Sequence, residues 1–400
     1  MSGKKREASI FFEEIQMSDK VIRENTATYP VIWDQFKHFF ESNKFEKIII
    51  VGCGDSLYAP QAAKFALMNN TGVSVDVFEA HEFCMYEADY MPANSLVIVS
   101  SNSGAAARTV ECSYVAQKKG AQVLAVTSRP QSRLAKSCKQ VMNFPAQRLG
   151  HVPGNVSFLS LLCVFYTLSA RLGRWNGRLT DEGEKAVYAE MNNIADSVRR
   201  FLEEGALQVK LLAEKLSSKK KFYFLGAGPS FPMAEFGAAK VMETWGIDGI
   251  PQQLEEFAHE QYFVSNLDRN NDTFVISPYG RCTARAREIV KELGFLETGN
   301  IVITTPPPGG VPGFENAGEL ITLPGVMDEY YSPLAMGVVL SLFSYYYAMA
   351  NDQMTMHFRE EAQEPEHYST IHFSRFSPFV AEFDIPEPDD ATKLQFIKGH

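Results

Sequence analysis

Short runs of apolar and β-branched residues alternate along the chain with longer segments of helical periodicity. In the first half, the strand-like runs are Lys47–Val51, Ser74–Phe78, Ser95–Val99 and Gln122–Thr127. In the second half, they are Phe222–Leu225, Gly249–Gln253, Thr273–Ile276 and Asn300–Thr304. Strands that alternate with helices are typical of parallel sheets covered by helices. At 400 residues the chain is too long for one ordinary domain, so the pattern predicts an α/β protein with two sheets.

The turns that follow these strands recur in the two halves. IIIVGCGDS resembles FYFLGAGPS, LVIVSSNSG resembles TFVISPYGR, and VLAVTSRP resembles IVITTPPP. The three pairs occur in the same order at a nearly constant offset of about 175 residues, which indicates a duplication. We therefore predict a first domain at 45–177 and a second at 219–350, with an N-terminal helical segment at 1–44 and a helical connector at 178–218.

The segment 351–400 has a different character. It begins with polar and aromatic residues, and FDIPEPDDA near its end is too rich in proline and aspartate for the interior of a helix or strand. We expect an extended C-terminal tail that packs on the rest of the chain or takes part in an oligomer contact.

Hydropathy and cysteine usage bear on the compartment. The longest apolar stretch, Met336–Met349, contains serine and tyrosine and is shorter than a membrane span, so it is predicted to be a buried core helix. The N-terminal sequence MSGKKREASIFFEEI lacks the apolar segment of a secretory signal. The six cysteines are scattered without C-x-x-C spacing, which favours reduced thiols over disulfides or a zinc site. We expect a cytoplasmic protein without membrane contact.

The charge of the chain limits its partners. A net charge of −10 and a pI near 5.4 argue against nucleic acid, which attracts clustered lysine and arginine. A bound phosphate would have to be held by hydroxyls and backbone dipoles rather than by a broad positive field. No cluster has the spacing of metal ligands, and no metal or cofactor is expected.

One turn has the composition of a phosphate loop. Ser101-Asn102-Ser103-Gly104 follows a strand and precedes the helical run AAARTVECSYVAQ, so its hydroxyls and N–H groups would converge at a helix N-terminus. Ser56, after the neighbouring strand, could reach the same place because ligands bind beyond the carboxyl ends of parallel strands. The alternative is that these residues only cap the helix. A nicotinamide site fits poorly, since GCGDS lacks the third glycine of that fingerprint.

At these motifs the chain resembles the SIS (sugar isomerase) family. VGCGDSLYAPQAAKF and LVIVSSNSGAAARTVE are similar to the first turn and the phosphate loop of the isomerase half of glucosamine-6-phosphate synthase and of the fructoselysine-6-phosphate deglycases. FEAHEFCMYEADYM and VMETWGIDGIPQQLEEFAHE resemble the deglycase branch more closely. The resemblance runs from about Phe45 to Met349 and implies two tandem, flavodoxin-like SIS domains and a homodimer or higher homo-oligomer.

The resemblance also implies the site residues. The phosphate would be bound by Ser56, Ser101, Asn102 and Ser103. The family's catalytic carboxylate corresponds to Glu243, its catalytic imidazole to His259, and a further substrate contact to Lys240. Two positions depart from the family pattern: Ala106 replaces a hydroxyl residue, and Glu260-Gln261 replaces the Gly-Pro that usually follows the histidine. From spacing alone, Lys240 and Glu243 could equally be an ordinary surface pair on a helix.

The function implied is that of a sugar-phosphate deglycase. Such an enzyme would cleave a 6-phosphorylated Amadori compound, such as fructoselysine 6-phosphate, to glucose 6-phosphate and a free amine. The synthase activity is not expected, since the sequence shows no N-terminal cysteine nucleophile and Lys398 lies in a different context from the synthase's Schiff-base lysine. An aldose–ketose isomerase or deaminase, and a non-catalytic sugar-phosphate-binding regulator, remain alternatives.

Overall fold

The computed structural model describes residues 3–268, 270–352 and 363–373, and it divides the chain into two compact units. Unit A contains residues 27–151 and 163–184 together with the described part of the tail. Unit B contains the described residues up to 26, residues 152–162 and the described residues between 185 and 352.

The first helices of the chain are α1 (Gly3–Gln16), α2 (Ser18–Trp33) and α3 (Lys37–Ser42). A 3₁₀ turn, Asp34–Phe36, lies between the last two.

Unit A is built on a five-stranded parallel sheet with the order β2-β1-β3-β4-β5. Its strands are β1 (Lys47–Gly52), β2 (Ser74–Glu79), β3 (Ser95–Ser100), β4 (Gln122–Thr127) and β5 (Gln140–Asn143). Its connecting helices are α4 (Asp55–Thr71), α5 (Ala80–Met85), α6 (Ala107–Lys118) and α7 (Arg133–Ser137), with a 3₁₀ turn at Glu87–Tyr90.

Three helices occupy the middle of the chain: α8 (Val156–Trp175), α9 (Asp181–Glu204) and α10 (Ala206–Lys215). The last two lie in the segment predicted as a helical connector. The N-terminus of α9 is stabilised by the three acidic residues of its first turn, Asp181, Glu182 and Glu184, because negative side chains there interact favourably with the helix dipole.

Unit B repeats the architecture of unit A. Its sheet, read as β7-β6-β8-β9-β10, has the same order and is also parallel. Its strands are β6 (Lys221–Gly226), β7 (Asp248–Gln253), β8 (Asp272–Ile276), β9 (Gly299–Thr304) and β10 (Glu319–Thr322). Its helices are α11 (Phe231–Trp245), α12 (Leu254–Glu256), α13 (Tyr262–Leu267), α14 (Thr283–Phe295) and α15 (Pro333–Ala350), with a 3₁₀ turn at Gly228–Ser230 and a π-helical turn at Phe257–Gln261. The tandem α/β fold predicted from the sequence is confirmed.

The apolar stretch predicted as a core helix is α15. Most of its side chains are buried, and Phe343 packs edge-on against Phe222 and Phe274 of the sheet in unit B. Helices Val156–Trp175 and Pro333–Ala350 are long and apolar enough to span a membrane, but 94% and 78% of their apolar windows are buried inside the structure. Both are therefore core helices.

The described part of the tail differs from the extended conformation that was expected. Helix α16 (Gln363–His367) continues into a π-helical turn at Tyr368–His372. Phe373, at the end of this segment, is buried. The remainder of the predicted tail, including Lys398, lies outside the described residues.

Candidate functional site

The predicted phosphate loop lies at the point where the strand order of unit A reverses. The chain passes from β1 to β2 on one side and then returns to β3 on the other, and ligands of open parallel sheets bind at such switch points. Here the backbone N–H of Asn102 donates to Ser56 Oγ at 3.2 Å. Ser56 and Ser101 are both buried, at 7% and 5% exposure. The structure therefore brings together the residues that follow the two strands, as the sequence predicted.

The loop is closed by its own hydroxyls. Ser101 Oγ accepts the backbone N–H of Gly104 at 3.1 Å, and Ser103 Oγ accepts that of Ala105 at 3.4 Å. The side-chain oxygen of Asn102 is buried and has no hydrogen-bond partner among the described residues. Because the two ends of a side-chain amide can exchange places by rotation, this group could turn its NH₂ toward an anion. Asn102 thus has hydrogen-bonding capacity that the folded chain does not use.

Helix capping does not explain the serines of this loop. Helix α6 begins at Ala107, and its N-cap residue, Ala106, makes no side-chain hydrogen bond to the helix. None of Ser101, Asn102 and Ser103 stands at the cap position. The first N–H groups of α6 therefore lack a side-chain cap, and together with the helix dipole they favour an anion.

Three residues beyond the motif support the loop, and the sequence interpretation gave them no role. Thr127 Oγ1 and Ser128 Oγ, at the end of β4, donate to the carbonyl oxygen of Asn102 at 3.2 and 2.9 Å. The side chain of Ser132 packs against Gly104. Gly104 has a φ of +60°, in the left-handed region. The sequence did contain a signal for these residues, namely the hydroxyl-rich turn that follows β4. Because β4 is the neighbour of β3 in a parallel sheet, both strands end at the same edge, where the loop lies.

In unit B the counterpart of this loop holds a carboxylate of the chain itself. Gly280 corresponds to Gly104, and a Cβ added there would overlap the carboxylate of Glu329. The backbone N–H of Arg281 donates to Glu329 Oε2 at 3.2 Å. The equivalent glycines of the two loops therefore contact different groups, the Ser132 side chain in the first loop and the Glu329 carboxylate in the second.

The predicted catalytic carboxylate lies on the last turns of α11 in unit B. Glu243 Oε2 is 2.6 Å from Lys240 Nζ, which is 4.8 Å from the centre of the Phe236 ring. Lys240 is completely buried, whereas the Glu243 side chain is 37% exposed. A buried ammonium anchors this carboxylate at the surface, so the pair is not the ordinary exposed i,i+3 pair of the alternative interpretation.

The predicted catalytic histidine lies elsewhere in unit B. His259 is in the π-helical turn that follows β7, its side chain is 68% exposed, and its Nε2 is 3.7 Å from Glu255 Oε1. Arg285 binds Glu255 with both ends of its guanidinium and lowers the pKa of that carboxyl. Glu243 precedes β7 and His259 follows it, and a strand of this length spans about 20 Å. The structure therefore does not bring Glu243 and His259 together within one unit B.

Two further titratable residues escaped the sequence interpretation. Glu79, the last residue of β2, accepts a hydrogen bond from Cys53 Sγ at 3.1 Å. Glu235, on α11, has a buried carboxylate oxygen without a hydrogen-bond partner among the described residues, and burial raises its pKa to about 7. In the described part of the chain, histidine, cysteine, aspartate and glutamate side chains form no group of three that could hold a metal ion.

Comparisons with known proteins agree with this geometry. The SIS domain family matches residues 42–169. The glutamine–fructose-6-phosphate aminotransferase (isomerizing) of Thermotoga maritima is 26% identical over 303 residues, which cover 76% of this chain and 49% of that protein. That of Bradyrhizobium diazoefficiens is also 26% identical, over 310 residues covering 78% and 50%. The chain thus spans about half the length of the curated relatives it matches.

Solved structures show the same fold. The C-terminal domain of the glucosamine-fructose-6-phosphate aminotransferase from Francisella tularensis has a TM-score of 0.77 at 20% identity, covering 86% of this chain and 96% of that one. The tagatose-6-phosphate ketose/aldose isomerase from Escherichia coli has a TM-score of 0.69 at 17% identity, with coverages of 85% and 93%. Residues 42–169 thus match the SIS domain family, and the chain as a whole is similar in sequence to part of the glutamine–fructose-6-phosphate aminotransferases and in fold to these solved structures.

Proposed function

We propose that this chain is a sugar-phosphate isomerase-type enzyme and, more specifically, a deglycase that cleaves fructosamine 6-phosphates. The observation that carries the proposal is the anchored Lys240–Glu243 pair. A proton transfer between neighbouring carbons needs one carboxylate that is held in place yet reachable by substrate. Glu243 meets both conditions, because the buried Lys240 ammonium binds one of its oxygens and over a third of its side chain is exposed.

The phosphate of the substrate would be bound by the loop of unit A. Ser56, Ser101, Asn102 and Ser103 surround the uncapped N-terminus of α6. Hydroxyls, backbone N–H groups and a helix dipole suffice to bind a phosphate without a basic side chain. This mode of binding suits a chain whose net charge is −10.

The chemistry then follows from the substrate. Glu243 removes a proton from C1 of the open-chain fructosamine, and the C–H electron pair forms the C1=C2 double bond. The C2 oxygen takes up a proton from water, which gives the enaminol; this proton is returned to water when the protonated imine is hydrolysed. Return of the proton to C2 gives the imine of an aldose phosphate. Water adds to the imine carbon, the C–N bond breaks, and glucose 6-phosphate and a free amine leave. No external oxidant, reductant or metal ion is needed for this balance.

His259 would open the sugar ring, since an imidazole can accept a proton at one nitrogen and donate one from the other. Because β7 separates it from Glu243 in its own chain, we propose that each site uses His259 from a second copy in a homodimer. A mixture of Glu243→Gln and His259→Asn chains should then recover about a quarter of wild-type turnover, through heterodimers with one intact site. A mixture as inactive as its components would contradict this arrangement.

The decisive experiment compares two substrates. With fructoselysine 6-phosphate we expect release of lysine and glucose 6-phosphate, and Glu243→Gln should reduce the rate by at least about 10³-fold while phosphate-ester binding is retained. Lys185→Gln, which changes an exposed residue of α9 that is none of the proposed site residues, is the control variant and should keep full activity.

Two other outcomes identify the alternatives. Isomerisation of a ketose 6-phosphate without release of any amine would indicate an aldose–ketose isomerase, like the similar tagatose-6-phosphate ketose/aldose isomerase from Escherichia coli. Tight binding of sugar phosphates with no turnover of either compound, unchanged by Glu243→Gln, would indicate a non-catalytic regulator.

A further inference from the structure

A second polar group lies at the same edge of the unit A sheet as the phosphate loop, on the other side of β1. Glu79 ends β2 and pairs in the ladder with Gly52, the last residue of β1. Strand β3, which leads into Ser101, runs along the opposite side of β1. Because neighbouring strands are about 4.8 Å apart, Glu79 lies roughly 10 Å from the start of the phosphate loop.

Between these two groups lies the turn Gly52-Cys53-Gly54. Gly52 is buried, whereas Cys53 and Gly54 are exposed, and Gly54 has a φ of +55°. A Cβ added at Gly54 would meet no atom within 4 Å. A ligand held by its phosphate at Ser101 can therefore extend over this turn toward Glu79, over a distance comparable to the length of an open-chain, six-carbon sugar phosphate.

The Glu79 carboxylate is held in place and ionised. Its Oε2 accepts the backbone N–H groups of His81 and Glu82 at 2.8 and 3.0 Å, and its Oε1 accepts the thiol of Cys53 at 3.1 Å. Burial alone would raise the pKa of Glu79, but the two backbone hydrogen bonds outweigh it and lower the pKa below its ordinary value of 4.5. A carboxylate has about four acceptor positions, so this exposed residue can accept another donor.

We propose that Glu79 binds the positively charged nitrogen of the substrate and thereby selects amine-bearing sugar phosphates over uncharged ones. The inference rests on the proposed function, because it takes the phosphate loop as the other end of the ligand. An amine on C1 is protonated at neutral pH, and its hydrogen bond to a carboxylate is charge-assisted. The class of ligand is therefore a 1-amino-1-deoxyketose 6-phosphate.

The cap of α5 does not require a charge at this position. Glu79 is the N-cap of that helix, but a glutamine or serine oxygen can accept the same N–H groups. In the second copy, Gln253 ends β7, pairs with Gly226 and precedes α12 at the equivalent place without a side-chain cap hydrogen bond, so a helical turn begins there with no charged cap. The charge of Glu79 is thus separable from its structural role.

The test uses isothermal titration calorimetry at pH 7 with two probes, fructose 6-phosphate and 1-amino-1-deoxyfructose 6-phosphate. Glu79→Gln should weaken binding of the amino compound about tenfold, since a hydrogen bond to a charged group is lost. Binding of fructose 6-phosphate should not change. Glu82→Gln, which removes an exposed charge from the same helix, is the matched control and should affect both probes less than about twofold.

Each other result has a definite meaning. If Glu79→Gln leaves the ratio of the two affinities unchanged, or if Glu82→Gln changes that ratio equally, the inference is wrong. A wild-type protein that binds both probes without preference overturns the inference and leaves the proposed function standing. A wild-type protein that binds neither contradicts the proposed function itself. Glu79→Ser, which retains a capping oxygen, replaces the glutamine variant if that variant does not fold, and carries the same expectations.

Discussion

Gly104 allows a sharp test of the phosphate loop, because one added methyl group would incur two separate penalties. Its φ of +60° costs a residue with a Cβ about 1–2 kcal/mol. A Cβ there would also overlap Ser132 Oγ and lie 2.6 Å from Ser132 Cβ and 2.9 Å from Thr127 Oγ1. Overpacking of this kind costs about 1–3 kcal/mol. We therefore expect Gly104→Ala to lower the free energy of unfolding by about 2–5 kcal/mol.

Gly120 provides the matched control in the same unit. It also has a positive φ, of +87°, but a Cβ there would meet no atom within 4 Å. Gly120→Ala should therefore cost only the backbone strain, about 1–2 kcal/mol. Urea denaturation measures both changes. Because the overlap displaces the loop, Gly104→Ala should also weaken sugar-phosphate binding at least about tenfold, whereas Gly120→Ala should leave it unchanged.

A second substitution can relieve the overlap. Ser132 is the N-cap of α7, where its Oγ accepts the N–H of Ala135 at 3.2 Å, and glycine at such a cap costs only a few tenths of a kcal/mol. Gly104→Ala combined with Ser132→Gly should thus be at least about 1 kcal/mol more stable than Gly104→Ala alone. The reasoning is refuted if the two effects simply add, or if Gly104→Ala and Gly120→Ala are equally destabilising.

Three further predictions follow from the same structure. Ser101→Ala removes one of the two acceptors of the Gly104 N–H, the other being the Ser101 carbonyl oxygen, and should cost about 0.5–1 kcal/mol of stability and abolish the thermal stabilisation by added sugar phosphate. The raised pKa of Glu235, about 7 against 4.5 ordinarily, means that the folded chain binds a proton more tightly than the unfolded chain. This stabilisation is complete below pH 4.5 and lost as the pH rises through 7, so the unfolding free energy of wild type relative to Glu235→Gln should fall by about 2 kcal/mol over that range, after allowance for solvent screening. Cys53 is an exposed residue, yet burial of its thiol and the hydrogen bond to Glu79 raise its pKa to about 12. Iodoacetamide should therefore alkylate Cys53 slowly at pH 7.5, and rapid alkylation would contradict this environment of the thiol.

Strand prediction succeeded for the six mostly buried strands and also for the less buried edge strands β2 and β7. All eight predicted strands are present, and each observed boundary lies within one residue of the predicted one. Strands β5 and β10 were not predicted. Both are four-residue edge strands with mostly half-buried positions, so they show neither a continuous apolar run nor a clear alternation.

The sequence by itself determined the duplication, the tandem α/β fold and the position of the predicted phosphate loop between β3 and α6. These features depend on local patterns: apolar runs bounded by turns, and hydroxyl residues between a strand and a helix. The position of Ser56 beside Asn102 also followed, because parallel strands necessarily end at the same edge.

Only the tertiary structure decided how the other candidate groups are arranged. Three features belong here: the burial of Lys240, the exposed turn between the predicted phosphate loop and Glu79, and the contact of Glu329 with the second loop. They depend on how helices, strands and loops pack against one another, which local sequence patterns do not show. The separation of Glu243 from His259 has the same origin. The sequence did predict the strand Gly249–Gln253 between them, but only the folded unit shows that this strand, β7, carries the backbone from the end of the sheet near Glu243 to the end near His259.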